Sequence, residues 1–158
     1  MTTPGSAESI ARFSPRHPLV AWTAIGIPAI AAGVYAIWSD DELLYCGMSG
    51  RQIEKARNDG KRKFGLVTRL ASHASGRLSG DQFCVYVANR LVLPSLPPEV
   101  LPKFGTGEVN LDALTRRFIH ERLDVQVAMV ESSSAAYSLE RDCRTGRQFG
   151  VKPSLNPL

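Results

Sequence analysis

The sequence predicts an α+β fold: one domain, with a small, mostly antiparallel sheet of three to four strands flanked by helices. Three observations predict it. The apolar runs Gly33-Val34-Tyr35-Ala36-Ile37-Trp38 and Leu43-Leu44-Tyr45-Cys46-Gly47 flank the polar turn Ser39-Asp40-Asp41-Glu42, as in a hairpin. Apolar residues recur at helical spacing in two later stretches. Two further short runs, Phe83-Cys84-Val85-Tyr86-Val87 and Val125 to Glu131, are rich in β-branched and aromatic residues or alternate in polarity, as strands do. A chain of 158 residues that is 44% hydrophobic has room for one core.

Met1 to Ser14, with small residues and a proline, reads as a loose arm, and the boundary with the domain falls at about residue 17, giving an arm of 1–17 and a domain of 18–158. Pro18 to Trp38 carries no charge and is long enough to be taken for a membrane span. Arg12, Arg16 and His17 precede it, Asp40, Asp41 and Glu42 follow it, and Ala29-Ile30-Ala31 resembles a signal-peptidase site. Thr23, Gly26, Pro28 and Gly33 interrupt it, and Val34 to Trp38 reads as strand. The preferred reading is therefore a core-packing segment or short strand over Val20–Ile27 that leads into the first sheet strand, with a membrane-anchored or exported protein as the alternative.

The basic stretch Arg51 to Lys63, with the turn Asn58-Asp59-Gly60, is expected as an exposed excursion. Leu66, Val67, Leu70, His73 and Ala74 predict a helix over 65–75 ending at Gly76. Phe83 to Val87 is expected as strand. Pro94 to Gly107, rich in proline and glycine, is expected as irregular loop, so that about 76–123 forms an inserted loop and helix region. Leu111, Leu114, Phe118, Ile119 and Leu123 predict a helix capped by Asn110; Val125 to Glu131 predicts a strand; and Ser132-Ser133-Ser134 offers the cap of a helix over 135–145, closed by Gly146. The tail Pro153-Ser154-Leu155-Asn156-Pro157 cannot be helical.

The net charge of +4 tilts toward a polyanionic partner. Cys46, Cys84 and Cys143 are odd in number and widely spaced, which fits a reducing cytoplasm and excludes a C-x-x-C zinc or redox pair; Cys46 and Cys84 are expected in the core.

A tyrosine on each strand of a hairpin is, by itself, an ordinary packing feature. Its company is more specific: Arg69 and His73 share one helix face, Glu140 lies on a late helix and Asn156 in the terminal turn. In order and type this set resembles the GIY-YIG nuclease superfamily, which includes homing endonucleases, excision-repair incision subunits and some type II restriction enzymes. Gly33-Val34-Tyr35 corresponds to the first tripeptide and Tyr45-Cys46-Gly47 to the second, each differing at its middle hydrophobic position. Arg69 corresponds to the helix arginine, His73 to a histidine that some branches place one turn later, Glu140 to the metal-binding glutamate and Asn156 to the asparagine near the end.

The resemblance implies an endonuclease that hydrolyses DNA phosphodiester bonds with Mg²⁺ or Mn²⁺ held by Glu140, restriction-like or associated with a mobile element. Such chemistry needs an activated water, positive charge around the phosphate and stabilisation of the departing 3′ oxygen. One carboxylate suffices for a hard cation that keeps several waters, and the Arg69 guanidinium can bracket phosphate oxygens. Tyr35 is the general base the resemblance implies, and a phenol of ordinary pKa about 10 then needs a cation to lower it. His73 is the alternative base, because imidazole titrates near neutrality. Tyr45 would hydrogen-bond water or phosphate, and Asn156 would hold a tyrosine or the glutamate in place.

Arg51, Lys55, Arg57, Lys61, Arg62 and Lys63, with Arg77 nearby, are the expected DNA-backbone contacts. A non-catalytic DNA-binding module of the same fold is the competing reading. Cutting both strands would call for a homodimer, since one such site cuts one strand. His17 and His120 match no motif position; Glu121, Asp124 and Glu131 are read as solvated charges, with Glu131, near the last helix, as the alternative of a distant second acid.

Overall fold

The computed structural model describes residues 12–157. Its strands are β1 (His17–Pro18), β2 (Ile30–Ser39), β3 (Glu42–Ser49), β4 (Phe64–Gly65) and β5 (Asp124–Val130), in the order β1-β5-β2-β3, with β4 pairing in parallel with the start of β2. The other pairings are antiparallel. The sheet thus exceeds the expected three to four strands only by the two-residue strands β1 and β4.

β2 is the central strand and is covered on both faces. Tyr35 and Ile37 face one core with Val125, Val127, Leu66, Leu70, Phe83 and Ile119; Val34, Ala36 and Trp38 face a second with Cys46 and Cys143. A strand buried on both sides reads as an unbroken apolar run, which accounts for half of the charge-free stretch that mimics a membrane span. The other half, Leu19–Ile25, is a 3₁₀ helix. Among the described residues no helix is long and apolar enough to cross a membrane.

The helices are α1 (Ile53–Asn58), α2 (Leu66–Ser75), α3 (Gln82–Val87), α4 (Leu93–Ser95), α5 (Leu101–Gly105), α6 (Leu111–Arg122) and α7 (Ser133–Arg144). Several ends follow the local signals. α2 stops at Gly76 in the left-handed conformation; the Asn110 side chain accepts the Ala113 amide at 3.0 Å, and Ser132 accepts that of Ala135 at 3.1 Å.

Two expectations are corrected outright and two are refined. Phe83 to Val87 is helix α3, not strand: Asp81 caps it by accepting the Cys84 amide at 3.1 Å, and Phe83, Cys84, Val87 and Ala88 are buried at helical rather than alternating spacing. The segment 94–107 is not structureless, because its prolines sit in the first turns of α4, a 3₁₀ turn (Pro98–Val100) and α5, where a missing amide proton costs nothing. The basic excursion is exposed at its cations, as expected, and part of it is the short helix α1. Of the two readings of Val20–Ile27, the short strand is corrected and the core-packing segment holds: the stretch is mostly the 3₁₀ helix, with Trp22, Ile25 and Ile27 packed against the core.

The described part of the expected arm lies against the sheet: the Ser14 amide donates to the Val127 carbonyl at 2.8 Å, and His17 is in β1. Residues 1–11 of that arm lie outside the described residues.

Candidate active site

The hairpin register builds the centre of the site. Tyr35 pairs with Gly47, and Ile37 with Tyr45, so the two tyrosines are diagonal neighbours on one face, their rings stacked at 6.3 Å between centroids. The motif glycines have steric reasons. A Cβ at Gly47 would stand 2.3 Å from the Tyr35 hydroxyl, so the phenol lies where a side chain would be; one at Gly33 would stand 2.3 Å from the Ala128 carbonyl oxygen on β5.

From the helical layer, α2 brings His73 onto this pair. The Tyr35 hydroxyl lies 2.8 Å from His73 Nε2, and the Tyr45 ring meets the imidazole edge-on at 6.2 Å. On its other side, His73 Nδ1 lies 2.7 Å from Asp81 Oδ2. Asp81 also accepts the Ser72 hydroxyl at 2.5 Å and the Cys84 amide at 3.1 Å. Tyr35, His73 and Asp81 are 2%, 3% and 3% exposed, so the chain of contacts is almost wholly buried.

Burial alone would push the Asp81 carboxyl up, but the hydrogen bonds from His73, Ser72 and Cys84 hold it at about 2. It is therefore an ionised acceptor, and His73 Nδ1 must carry a proton to donate to it. Burial lowers the His73 pKa below its ordinary 6.5, against the pull of Asp81. At neutral pH the ring is then neutral, Nε2 is bare, and the Tyr35 hydroxyl donates to it. Tyr35 itself is not an activated phenol. Burial first, then neighbouring Tyr45, raises its pKa well above 10, and Arg69 offsets this only in part. The expectation of a cation-lowered phenol is corrected accordingly: the site is too dry for a phenolate. Tyr45 is also raised, by burial and then by Glu140.

Arg69 is exposed on α2 above this pair, and its charge reaches both Tyr35 and His73. Asn156 braces the β3 edge: its Oδ1 accepts the Cys46 amide at 2.8 Å and its Nδ2 donates to the Cys46 carbonyl at 2.9 Å. The expected role of Asn156 as a brace fits this, although it grips strand backbone, not a tyrosine or the glutamate.

Glu140, on α7, opens with Asn156 onto a cleft of about 360 Å³. Its side chain is 15% exposed, its ion pair with Arg144 is long at 4.0 Å, and burial raises its pKa against the lowering by Arg144 and Arg51. A desolvated, loosely paired carboxylate at a roomy cleft fits a hard divalent cation that keeps most of its waters. Among the described residues no three His, Cys, Asp or Glu side chains gather into a fuller cage. Glu140 is near enough for its charge to act on both tyrosines.

No family model, curated protein or solved structure matches this chain. The functional reading rests on these residues.

The expected DNA contacts divide. Arg51, Lys55, Arg57, Lys61, Arg62 and Lys63 are all exposed, but Arg57 donates to the Glu131 carbonyl at 2.9 Å and Lys61 sits over the Phe64 ring at 5.0 Å. Arg77 follows the far end of α2, about 15 Å along its axis from the start, in a separate cleft with Asp112 and Arg116. His17 and His120 are satisfied by backbone carbonyls, at 3.1 Å from Pro15 and 2.7 Å from Ala74. The three cysteines are buried, as expected of Cys46 and Cys84. Burial pushes the Cys84 thiol up to about 12, and the Cys46 thiol is raised too, chiefly by its hydrogen bond with Cys143, so neither is a nucleophile.

Asp81 is the residue that sequence reasoning missed. Its signal was an aspartate two residues ahead of a buried Phe-Cys pair, an N-cap position visible only if 83–87 is read as helix.

Proposed function

We propose that the protein is a metal-dependent endonuclease of the GIY-YIG type that hydrolyses DNA phosphodiester bonds. The observation that carries this reading is the 2.8 Å contact of the Tyr35 hydroxyl with a His73 Nε2 left bare by Asp81. Such a pair can move a proton without making a phenolate. An attacking water gives its proton to the Tyr35 oxygen as Tyr35 passes its own to His73, and the resulting imidazolium is paired with the Asp81 carboxylate. The general base is then the pair, with His73 holding the proton and Tyr35 reaching the water.

Arg69 supplies fixed positive charge to the phosphate oxygens, where paired guanidinium donors match their geometry. Tyr45, less buried than Tyr35, offers a hydroxyl to water or phosphate. Glu140 would hold Mg²⁺ or Mn²⁺, which when bound stabilises charge on the phosphate and on the departing 3′ oxygen. Asn156 keeps the β3 edge, and with it Tyr45, in register.

The 2% exposure of Tyr35 favours one competing reading, a non-catalytic DNA-binding module in which the Tyr35–His73–Asp81 chain only braces the core. Incubating the purified protein with supercoiled plasmid and Mg²⁺ or Mn²⁺, beside Tyr35→Phe, His73→Ala and Glu140→Ala, separates the two. The nuclease reading expects nicked or linear products from the wild type and at least ~10²-fold slower cleavage from each variant. Wild-type protein that binds DNA and leaves several DNA forms intact sinks the catalytic claim.

A further inference from the structure

The cleft beside Glu140 holds more than the carboxylate. Its walls carry Arg141 and Arg144 from α7 and Lys152 from the closing segment, three cations against one acid, and the α7 wall begins with Tyr137. Tyr137 is 59% exposed, an aromatic ring that the fold does not use for its core. Arg141 and Lys152 are exposed and, among the described residues, neither is in an ion pair. Arg144 is partly engaged, by Glu140 and by the Pro157 carbonyl at 3.2 Å.

The helix sets the spacing. Tyr137, Glu140 and Arg141, and Arg144 stand at positions i, i+3 and i+4, and i+7 of α7, which puts them on one stripe. At 1.5 Å per residue the stripe is about 10 Å long, close to three nucleotide steps of about 3.4 Å. Two free cations and one partly engaged, spaced along a groove that opens on the proposed metal-binding carboxylate, call for a polyanion, and an exposed ring at one end calls for a planar group to stack on it.

We propose that this cleft seats one strand of the DNA substrate, with phosphates on Arg141, Arg144 and Lys152 and an unpaired base on Tyr137. The proposal rests on the nuclease reading and adds a substrate class: DNA with single-stranded character next to the cut, such as a flap, a frayed end or a gap. A base inside a duplex has its faces covered by its neighbours, whereas an unpaired base gains about 1–3 kcal/mol from an aromatic platform. The basic run 51–63 then contributes at its near end, where the charge of Arg51 reaches Glu140.

The test is fluorescence anisotropy of the full chain, without divalent metal, against a labelled oligothymidylate of about 15 nucleotides and a duplex of equal length. The single strand should bind more tightly. Tyr137→Ala should weaken it by roughly 5- to 100-fold with little effect on the duplex, and Tyr137→Trp should restore it. The double variant Arg141→Ala with Lys152→Ala should bind more weakly and lower the salt dependence of log K between about 50 and 200 mM by about 1.4, two phosphates' worth.

Wild-type affinity in both Tyr137→Ala and the double variant overturns the proposal, as does a wild type that binds neither oligonucleotide; an equal loss on strand and duplex from Tyr137→Ala overturns the unpaired base. Plasmid cleavage by the double variant with KM and rate unchanged overturns the seat and leaves the nuclease reading standing. Cleft-dependent binding by a wild type that never cuts does the reverse.

Discussion

Replacing Asp81 with asparagine keeps the shape of the side chain and changes its charge and its pattern of donors and acceptors. Asp81 now accepts three hydrogen bonds, from Ser72, His73 Nδ1 and the Cys84 amide. In Asp81→Asn the amide oxygen can still take the Cys84 amide, but the NH₂ group then faces His73 Nδ1–H, donor against donor. The imidazole resolves the clash by moving its proton to Nε2, and the Tyr35 hydroxyl loses its acceptor.

The size of the effect follows from the carboxyl being held at about 2 against an ordinary 3.8. At about 1.4 kcal/mol for each tenfold change, that is an upper value of about 2.5 kcal/mol. Part of the depression belongs to a charged His73 ring, which is neutral at neutral pH, so the expected loss on urea unfolding there is about 1–2 kcal/mol. Because the folded pKa lies below the unfolded one, this contribution is complete above 3.8 and disappears as pH falls toward 2.

Nitrogen NMR of the His73 ring should show a protonated Nδ1 and bare Nε2 in the wild type and the reverse in Asp81→Asn. Plasmid cleavage should fall by roughly 10²- to 10⁴-fold, the cost of a base in the wrong tautomer. A variant that loses stability yet keeps the Nδ1–H tautomer and cleaves at the wild-type rate would refute the reasoning, and would leave Asp81 as no more than the cap of α3.

Two further predictions follow from the same geometry. Gly47→Ala places a methyl group 2.3 Å from the Tyr35 hydroxyl in a buried site; the expected result is a loss of about 1–3 kcal/mol together with loss of cleavage, and a variant with unchanged melting temperature and activity would show that Tyr35 has room to move. Burial keeps His73 neutral in the folded state while the unfolded chain binds a proton below pH 6.5; stability should therefore be complete above 6.5 and fall as the pH drops below it, by up to about 1.4 kcal/mol per pH unit until the folded ring also protonates. Urea midpoints across that range, compared with His73→Gln, check the slope, which the variant should lack.

What was legible in the sequence was mostly local. The β2–β3 hairpin announced itself by two apolar runs about a polar turn, α2 by its spacing and Gly76, α6 and α7 by Asn110 and Ser132. Phe83 to Val87 misled because β propensity measures how a side chain suits a pleated surface, and here the Asp81 cap and burial against β2 and α6 decided for helix. The prolines of 94–107 misled for a related reason, since a proline that ends one helix can open the next.

The site was legible to the same extent. Tyr35, Tyr45 and His73 meet, and Asn156 does brace a strand. The position of Asp81 against His73, eight residues apart across a helix end and a turn, depends on how α3 folds back beneath α2. The cleft of Tyr137, Arg141 and Lys152 was similarly hidden, because its walls come from a helix and a tail that the sequence shows only one at a time.

The burial of Tyr35 bears most directly on the chemistry. Had Tyr35 been exposed beside free cations, a lone phenolate base would have been the simplest account. Instead, Tyr35 is dry, its pKa is driven up, and it donates to a neutral histidine of α2. A dry phenol cannot hold a negative charge, but it can relay a proton, because each oxygen–hydrogen bond it breaks is matched by one it makes. On the nuclease reading the sheet separates two demands of hydrolysis. Proton acceptance would lie on the face that α2 packs against, where Asp81 can stabilise an imidazolium out of water. The cation would lie toward α7, where Glu140 lines a cleft with Arg141 and Arg144, and Arg69 of α2 would meet the phosphate. The β3 edge is pinned by Asn156, and Gly47 there leaves the Tyr35 hydroxyl its place, which is why the second tripeptide needs its glycine.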